Sequence, residues 1–129
     1  MLKDLVQKNR SYRSFDPERV VTREELLEFV DIARQTSSSR NIQPLKYRLV
    51  CTPEECAKVL PLTAWAGRLK NVKLPPEGHA PTAYIVVCCD MTIAETITTF
   101  LRDVGIVAQT ILLVATEAGL GGCMVGSFD

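Results

Sequence analysis

Apolar residues recur along this chain with two periods, and the change from one to the other marks its elements. Leu2, Leu5 and Val6 are spaced as on a helix, which predicts a short first helix ending near Asn9. Thr22-Arg23-Glu24-Glu25 has the pattern of a capping box. It opens a helix with Leu26, Leu27, Phe29, Val30 and Ala33 on its inner face, fading at Gln35. Leu45 to Cys51 alternates instead, placing Leu45, Tyr47, Leu49 and Cys51 on one face of a strand. Thr52-Pro53-Glu54-Glu55 starts a third helix with proline at its first position, ending near Leu60. Leu62 to Pro81 shows no clear period. Thr82 to Cys89 is a continuous apolar run rich in β-branched residues, expected as a central strand buried on both faces. Thr92 and Glu95 have capping-box spacing, which predicts a further helical stretch that turns or breaks near Arg102.

From Asp103 to Gly119 the apolar positions crowd together. Val104, Ile106, Val107, Ala108, Ile111, Leu112, Leu113, Val114 and Ala115 leave almost no polar face. Such a helix must be buried, in a core or against a second copy of itself. It reads as too short and too polar at its ends to cross a bilayer. Asp103 is expected near the helix start, where a negative charge suits the dipole, and Gly119 is expected to end it. A chain this small has little interior for such a helix, so a second subunit is expected to cover it. Beyond it, the glycine-rich stretch from Leu120 to Val125 lets backbone approach something flat or charged closely.

Length and charge narrow the possibilities. At 129 residues one domain, 1–129, is expected. Fifteen basic and fifteen acidic residues balance, so nothing points to nucleic acid or a membrane as partner. The N-terminus lacks the apolar run of a signal peptide, and five cysteines suit reduced thiols, so the cytoplasm is the expected compartment. The cysteines lack metal-site spacing and are expected to be structural filler. His79, the single histidine, lies in a proline- and glycine-rich loop and is expected at the surface. Trp65 either packs in the core or lines a pocket, with core packing preferred.

Two loops carry candidate chemistry. In Arg10-Ser11-Tyr12-Arg13, two arginines beside a hydroxyl can converge on an anion, since guanidinium matches phosphate geometry. A solvated basic turn is the plain alternative. Thr36 to Pro44 is a loop of hydroxyls and amides able to donate and accept many hydrogen bonds, or else an ordinary connector.

Four pieces in fixed order, NRSYRSF, SSSRNIQPLKY, AYIVVCCD and DVGIVAQTILLVATEAGLGGCMVGSFD, resemble the FMN-dependent nitroreductase family over essentially the whole chain. The resemblance implies an α+β fold with a central, mostly antiparallel sheet flanked by helices, and the long helix at a homodimer interface. It implies FMN as cofactor. Arg10, Ser11 and Arg13 would hold its phosphate. Ser37, Ser38, Ser39 and Asn41 would reach it from the partner subunit, with Gln43 supporting that loop, and Met124, Val125 and Gly126 would lie along the isoalloxazine ring. Here Ser37 stands where the family usually has proline. Family members also continue past Gly126-Ser127-Phe128-Asp129, so a shortened member or a fragment is expected.

The implied activity is an oxidoreductase in which NAD(P)H reduces the flavin and a nitroaromatic, quinone or related small acceptor reoxidises it in alternation. The cofactor carries such chemistry, so no catalytic side chain and no metal are expected. Two alternatives stand beside it: a non-catalytic FMN-binding or flavin-storage protein, and a cofactor-free α+β interaction module.

Overall fold

The structure is a computed structural model describing residues 1–129. Its elements are α1 (Leu2–Lys8), α2 (Arg23–Ala33), a 3-10 turn (Ser39–Asn41), β1 (Leu45–Val50), α3 (Pro53–Val59), a second 3-10 turn (Leu60–Leu62), β2 (Thr63–Ala64), β3 (Tyr84–Cys89), α4 (Ile97–Glu117) and β4 (Ser127–Phe128).

The first half follows its local signals closely. The Thr22 side chain accepts from the Glu25 amide while the Glu25 carboxylate accepts from the Thr22 amide, completing the capping box of α2. Thr52 caps α3 by a single bond, accepting from the Glu55 amide at 3.2 Å, with Pro53 at the first turn. On α2 the buried side is Leu26, Phe29 and Ala33, and Leu27 faces outward. β1 and β3 pair antiparallel from Leu45 opposite Cys89 to Val50 opposite Tyr84. One core cluster joins Leu26, Phe29 and Ala33 to Leu49 of β1 and to Val107, Ile111 and Ala115 of α4.

The second half differs from expectation at three points. β3 is not buried on both faces: Val86 and Cys88 are exposed, because the core lies on the other face, with Ile85 and Val87. Thr92 starts no helix. Its amide and hydroxyl both donate to Asp90 Oδ1, at 3.0 and 2.6 Å, and that local turn competes successfully with a helical cap. The cap is Thr96, whose hydroxyl accepts from the Thr99 amide, and α4 runs unbroken for 21 residues through Arg102. Asp103 therefore lies inside the helix and not at its start. With those added turns α4 also reaches the length and apolarity of a membrane span. It is nevertheless the core helix, packed against α2 and β1 with Asp103 on its inner stripe.

Gly119 ends α4 as expected, at φ 80°. The Gly119 amide donates to Thr116 O at 3.0 Å and the Leu120 amide to Ala115 O at 2.8 Å, the paired bonds of a Schellman motif. The chain then turns back beside the Arg10–Arg13 loop. Tyr12 N donates to Gly122 O at 3.0 Å, and Ser11 and Gly122 form a parallel bridge. β4 closes on β2, with Thr63 opposite Phe128 and Ala64 opposite Ser127.

Candidate functional site

The two ends of the chain meet at one cavity. Arg13, Ala64, Trp65, Met124, Val125 and Gly126 line a shallow space of about 110 Å³. Arg13 comes from the loop after α1, and the Met124–Gly126 segment follows the turn that Gly119 makes possible. Trp65 closes one side. Its indole N–H donates to Thr63 Oγ1 at 2.8 Å and its ring meets Phe15 edge-on, centroids 6.1 Å apart. Trp65 is thus half-buried wall rather than core, a correction to its expected place. The reason is the β2–β4 pairing, which no local period announces.

The donor set at this cavity is free. Neither Arg10 nor Arg13 forms an ion pair. Arg13 makes one long contact, from Nη1 to Ser11 O at 3.4 Å. The amides of Met124, Val125 and Gly126 donate to no group of the chain, and a Cβ built on Gly126 would meet nothing within 4 Å. Guanidinium and consecutive open N–H groups are the chemistry that an anionic, hydrogen-bonding ligand requires. FMN, with a phosphate and a flat ring rich in acceptors, fits that set. The volume does not suffice alone, since small-molecule sites measure roughly 300 Å³ or more. A further wall is needed.

The glycines before this segment serve another purpose than the sequence suggested. A Cβ on Gly121 would lie 2.6 Å from the Tyr12 ring, and one on Gly122 2.5 Å from Leu112 Cδ2. The flat group that this backbone approaches is the chain's own tyrosine, whose hydroxyl also donates to Lys8 O at 2.9 Å. Gly121 and Gly122 thereby seat the Arg10–Arg13 loop on the end of α4.

The serine loop lies elsewhere. Ser38 Oγ donates to Asp103 Oδ2, the Ser39 amide donates to Asp103 Oδ1 at 3.1 Å, and the Gln43 amide donates to Ser38 Oγ at 3.0 Å. Gln43 Nε2 holds Asn41 Oδ1 at 2.5 Å, and Arg40 pairs with Glu95. Ser37, Asn41 and Gln43 are exposed. Asp103 and Glu117 are separated by about 20 Å along α4, at a rise of 1.5 Å per residue. Within one chain, therefore, Arg13 meets Met124, Val125 and Gly126, and Arg10 and Ser11 adjoin them at Gly122. Ser37, Ser38, Ser39, Asn41 and Gln43 stand near the opposite end of the helix.

Burial raises the thiols of Cys56 and Cys89, with nearby negative charge adding to it, which makes both poorer nucleophiles. All five cysteines are free. His79 is exposed, its Nδ1 lying 3.2 Å from Phe15 O. No cluster of three or more His, Cys, Asp or Glu side chains suits a metal. Sequence reading missed Asp103 as the serine loop's anchor. The signal was present in its four-residue spacing from Val107, Ile111 and Ala115, and it was hidden by placing the helix start six residues too late.

A family model described as the nitroreductase family matches residues 6–81 and 79–129. Among solved structures, a nitroreductase family protein from Clostridium difficile is 25% identical, with a TM-score of 0.75 over 100% of this chain and 69% of that one. One from Streptococcus pneumoniae is 16% identical, with a TM-score of 0.78 over 100% of this chain and 78% of that one. A protein from Exiguobacterium sibiricum, crystallised in complex with FMN, is 18% identical, with a TM-score of 0.76 over 100% of this chain and 76% of that one. The last two speak for the fold alone. No curated protein matches the chain.

Proposed function

Because this chain belongs to the nitroreductase family, we propose that it is an FMN-dependent oxidoreductase acting as a homodimer, oxidising NAD(P)H and reducing a small acceptor such as a nitroaromatic or a quinone. The observation that carries this reading is that Arg13 lines one cavity with Met124, Val125 and Gly126, whose amides make no bond within the chain. The FMN bound in the Exiguobacterium sibiricum relative supports the choice of cofactor.

Bound FMN would supply the two-electron chemistry, so the protein's part is to bind and orient it. Arg10 and Arg13 would hold the phosphate by charge-assisted bonds. The Met124–Gly126 amides would face the ring edge where negative charge accumulates on reduction, acting as an oxyanion hole does. Trp65, held edge-on against Phe15, would keep water from that side.

The missing wall would come from a second copy. Only ten of 129 residues are buried in the single chain, and Ile97 and Leu101 on α4 are 62% and 60% exposed. An apolar helix side left open in this way suits an obligate interface, which typically buries roughly 2,000 Å² or more. The second copy would bring its Ser39 and Asn41 to the cavity, and the separation of the two loops along α4 supports this reading. The cytoplasm is the proposed compartment.

The test is direct. Purified protein should absorb in the blue when loaded with FMN and oxidise NADH with menadione as acceptor. Arg13→Ala should lose about 1.5–3 kcal/mol of FMN binding by fluorescence titration, the worth of a hydrogen bond to a charged group. Full affinity in the Arg10→Ala/Arg13→Ala variant would remove the phosphate assignment. FMN binding without NADH oxidation would leave a flavin-binding protein.

A further inference from the structure

Asp103 is the one charged side chain among the ten buried residues, 2% exposed in the middle of an apolar helix. It has no cationic partner. A buried carboxylate in that position costs several kcal/mol unless hydrogen bonds compensate it. The compensating donors come from the serine loop: the Ser38 hydroxyl and the Ser39 amide.

The loop needs the carboxylate as much as the carboxylate needs the loop. Arg40, Asn41 and Gln43 all have positive φ, at 53°, 56° and 54°. None is glycine, and such conformations persist only where the surroundings over-determine them. Two ties set the loop's base. One runs from the Gln43 amide through the Ser38 hydroxyl to Asp103. The other is the buried Pro44, whose carbonyl accepts from the Asp90 amide at 2.8 Å. The hydroxyl of Ser38 accepts one bond and donates the other, so its single proton is committed inside its own chain.

We propose that Asp103 is a positioning residue that locks the serine loop from beneath through Ser38, and that Ser38 belongs to this lock and makes no contact with the cofactor. Ser39 and Asn41 are then the loop's outward groups, and α4 couples their placement to the core. The FMN part of this inference rests on the proposed function. The lock itself does not.

Amide hydrogen exchange, which needs no cofactor, reads the lock. Asp103→Asn keeps the side-chain shape but leaves one acceptor oxygen for two donors, the Ser38 hydroxyl and the Ser39 amide. Exchange at Ser39 and Gln43 should quicken about tenfold to a hundredfold, the size of one hydrogen bond to a charge, while Val107 to Ala115 stay protected. Ser38→Ala should quicken Gln43 similarly, and Ser38→Thr, which keeps the hydroxyl, should restore it. FMN should bind about tenfold or more weakly to Asp103→Asn and to Ser38→Ala, and no more weakly to the double variant, because both act through one bond. Wild-type exchange at Ser39 and Gln43 in Asp103→Asn overturns the lock. A loosened loop with unchanged FMN affinity overturns the positioning role. Additive losses in the double variant return Ser38 to the ligand. If Asp103→Asn opens α4 as well, Ser38→Ala decides, since it removes no core atom. Should wild-type protein bind no FMN, the proposed function fails and exchange alone judges the lock.

Discussion

Single atoms decide more here than residue classes do. At Gly121 the Tyr12 ring occupies the space a Cβ would take, and at Gly122 a Cβ would have to displace a Leu112 methyl. Tyr84 shows the opposite case, a polar atom with nothing to meet. Its hydroxyl is buried without a hydrogen-bond partner. Burial first, and the nearby Cys56 second, push its ionisation up to about 12. Below pH 10 the phenol is neutral in both folded and unfolded chains. Above it the unfolded chain ionises first, so stability falls as pH rises from about 10 toward 12. Tyr84→Phe should be neutral or slightly stabilising at pH 8, since it removes an unpaired buried group. It should also flatten the alkaline decline in urea unfolding at pH 10–11.5. Burial raises Tyr47 too, so part of the decline should remain. An equal decline in both proteins would show that Tyr84 ionises freely.

At the scale of elements, capping explains where helices begin and end. Thr22, Thr52 and Thr96 each accept a bond from the amide three residues on. The same logic explains the error at Thr92, where Asp90 offered its neighbours a closer acceptor. The stop of α4 is the end on which the site depends, because it turns Leu120 to Gly126 back toward Arg13. Gly119 has open space around a built Cβ, so its need is conformational alone. Gly119→Ala should cost about 1–2 kcal/mol of stability, the penalty of a left-handed alanine, without a steric clash. Chemical denaturation measures it. A larger loss, with FMN binding weakened beyond the stability change, would mean that the turn fails to re-form.

The molecule as a whole keeps its two candidate loops apart. One chain carries the arginine loop and the Met124–Gly126 segment at one end of α4 and the serine loop near the other. If a second copy brings the halves together, FMN binding and association are linked, so added FMN should tighten the dimer and dilution should release flavin. Two inactive variants test this at the scale where it belongs. One lacks Arg10 and Arg13, and the other carries bulky residues at Ser39 and Asn41. Mixing them should restore one intact site per heterodimer, seen as recovered flavin absorbance and NADH oxidation. Heterodimers that form and recover nothing would place the whole site within one chain.

What the sequence determined by itself was local. Short-range spacing set α1, α2, β1 and α3, and a single glycine set the end of α4, because caps, periods and φ preferences act over a few residues. The four family motifs added the fold as a whole. The tertiary structure alone decided three things. Asp103 is an interior anchor because α4 begins six residues before it, at Ile97. Trp65 became a cavity wall once β2 paired with β4, where Thr63 lies opposite Phe128. The glycines after α4 became a seat for Tyr12. Each depends on a partner distant in sequence, and a hydrogen bond or a packing contact of that kind leaves no period in the chain to be read.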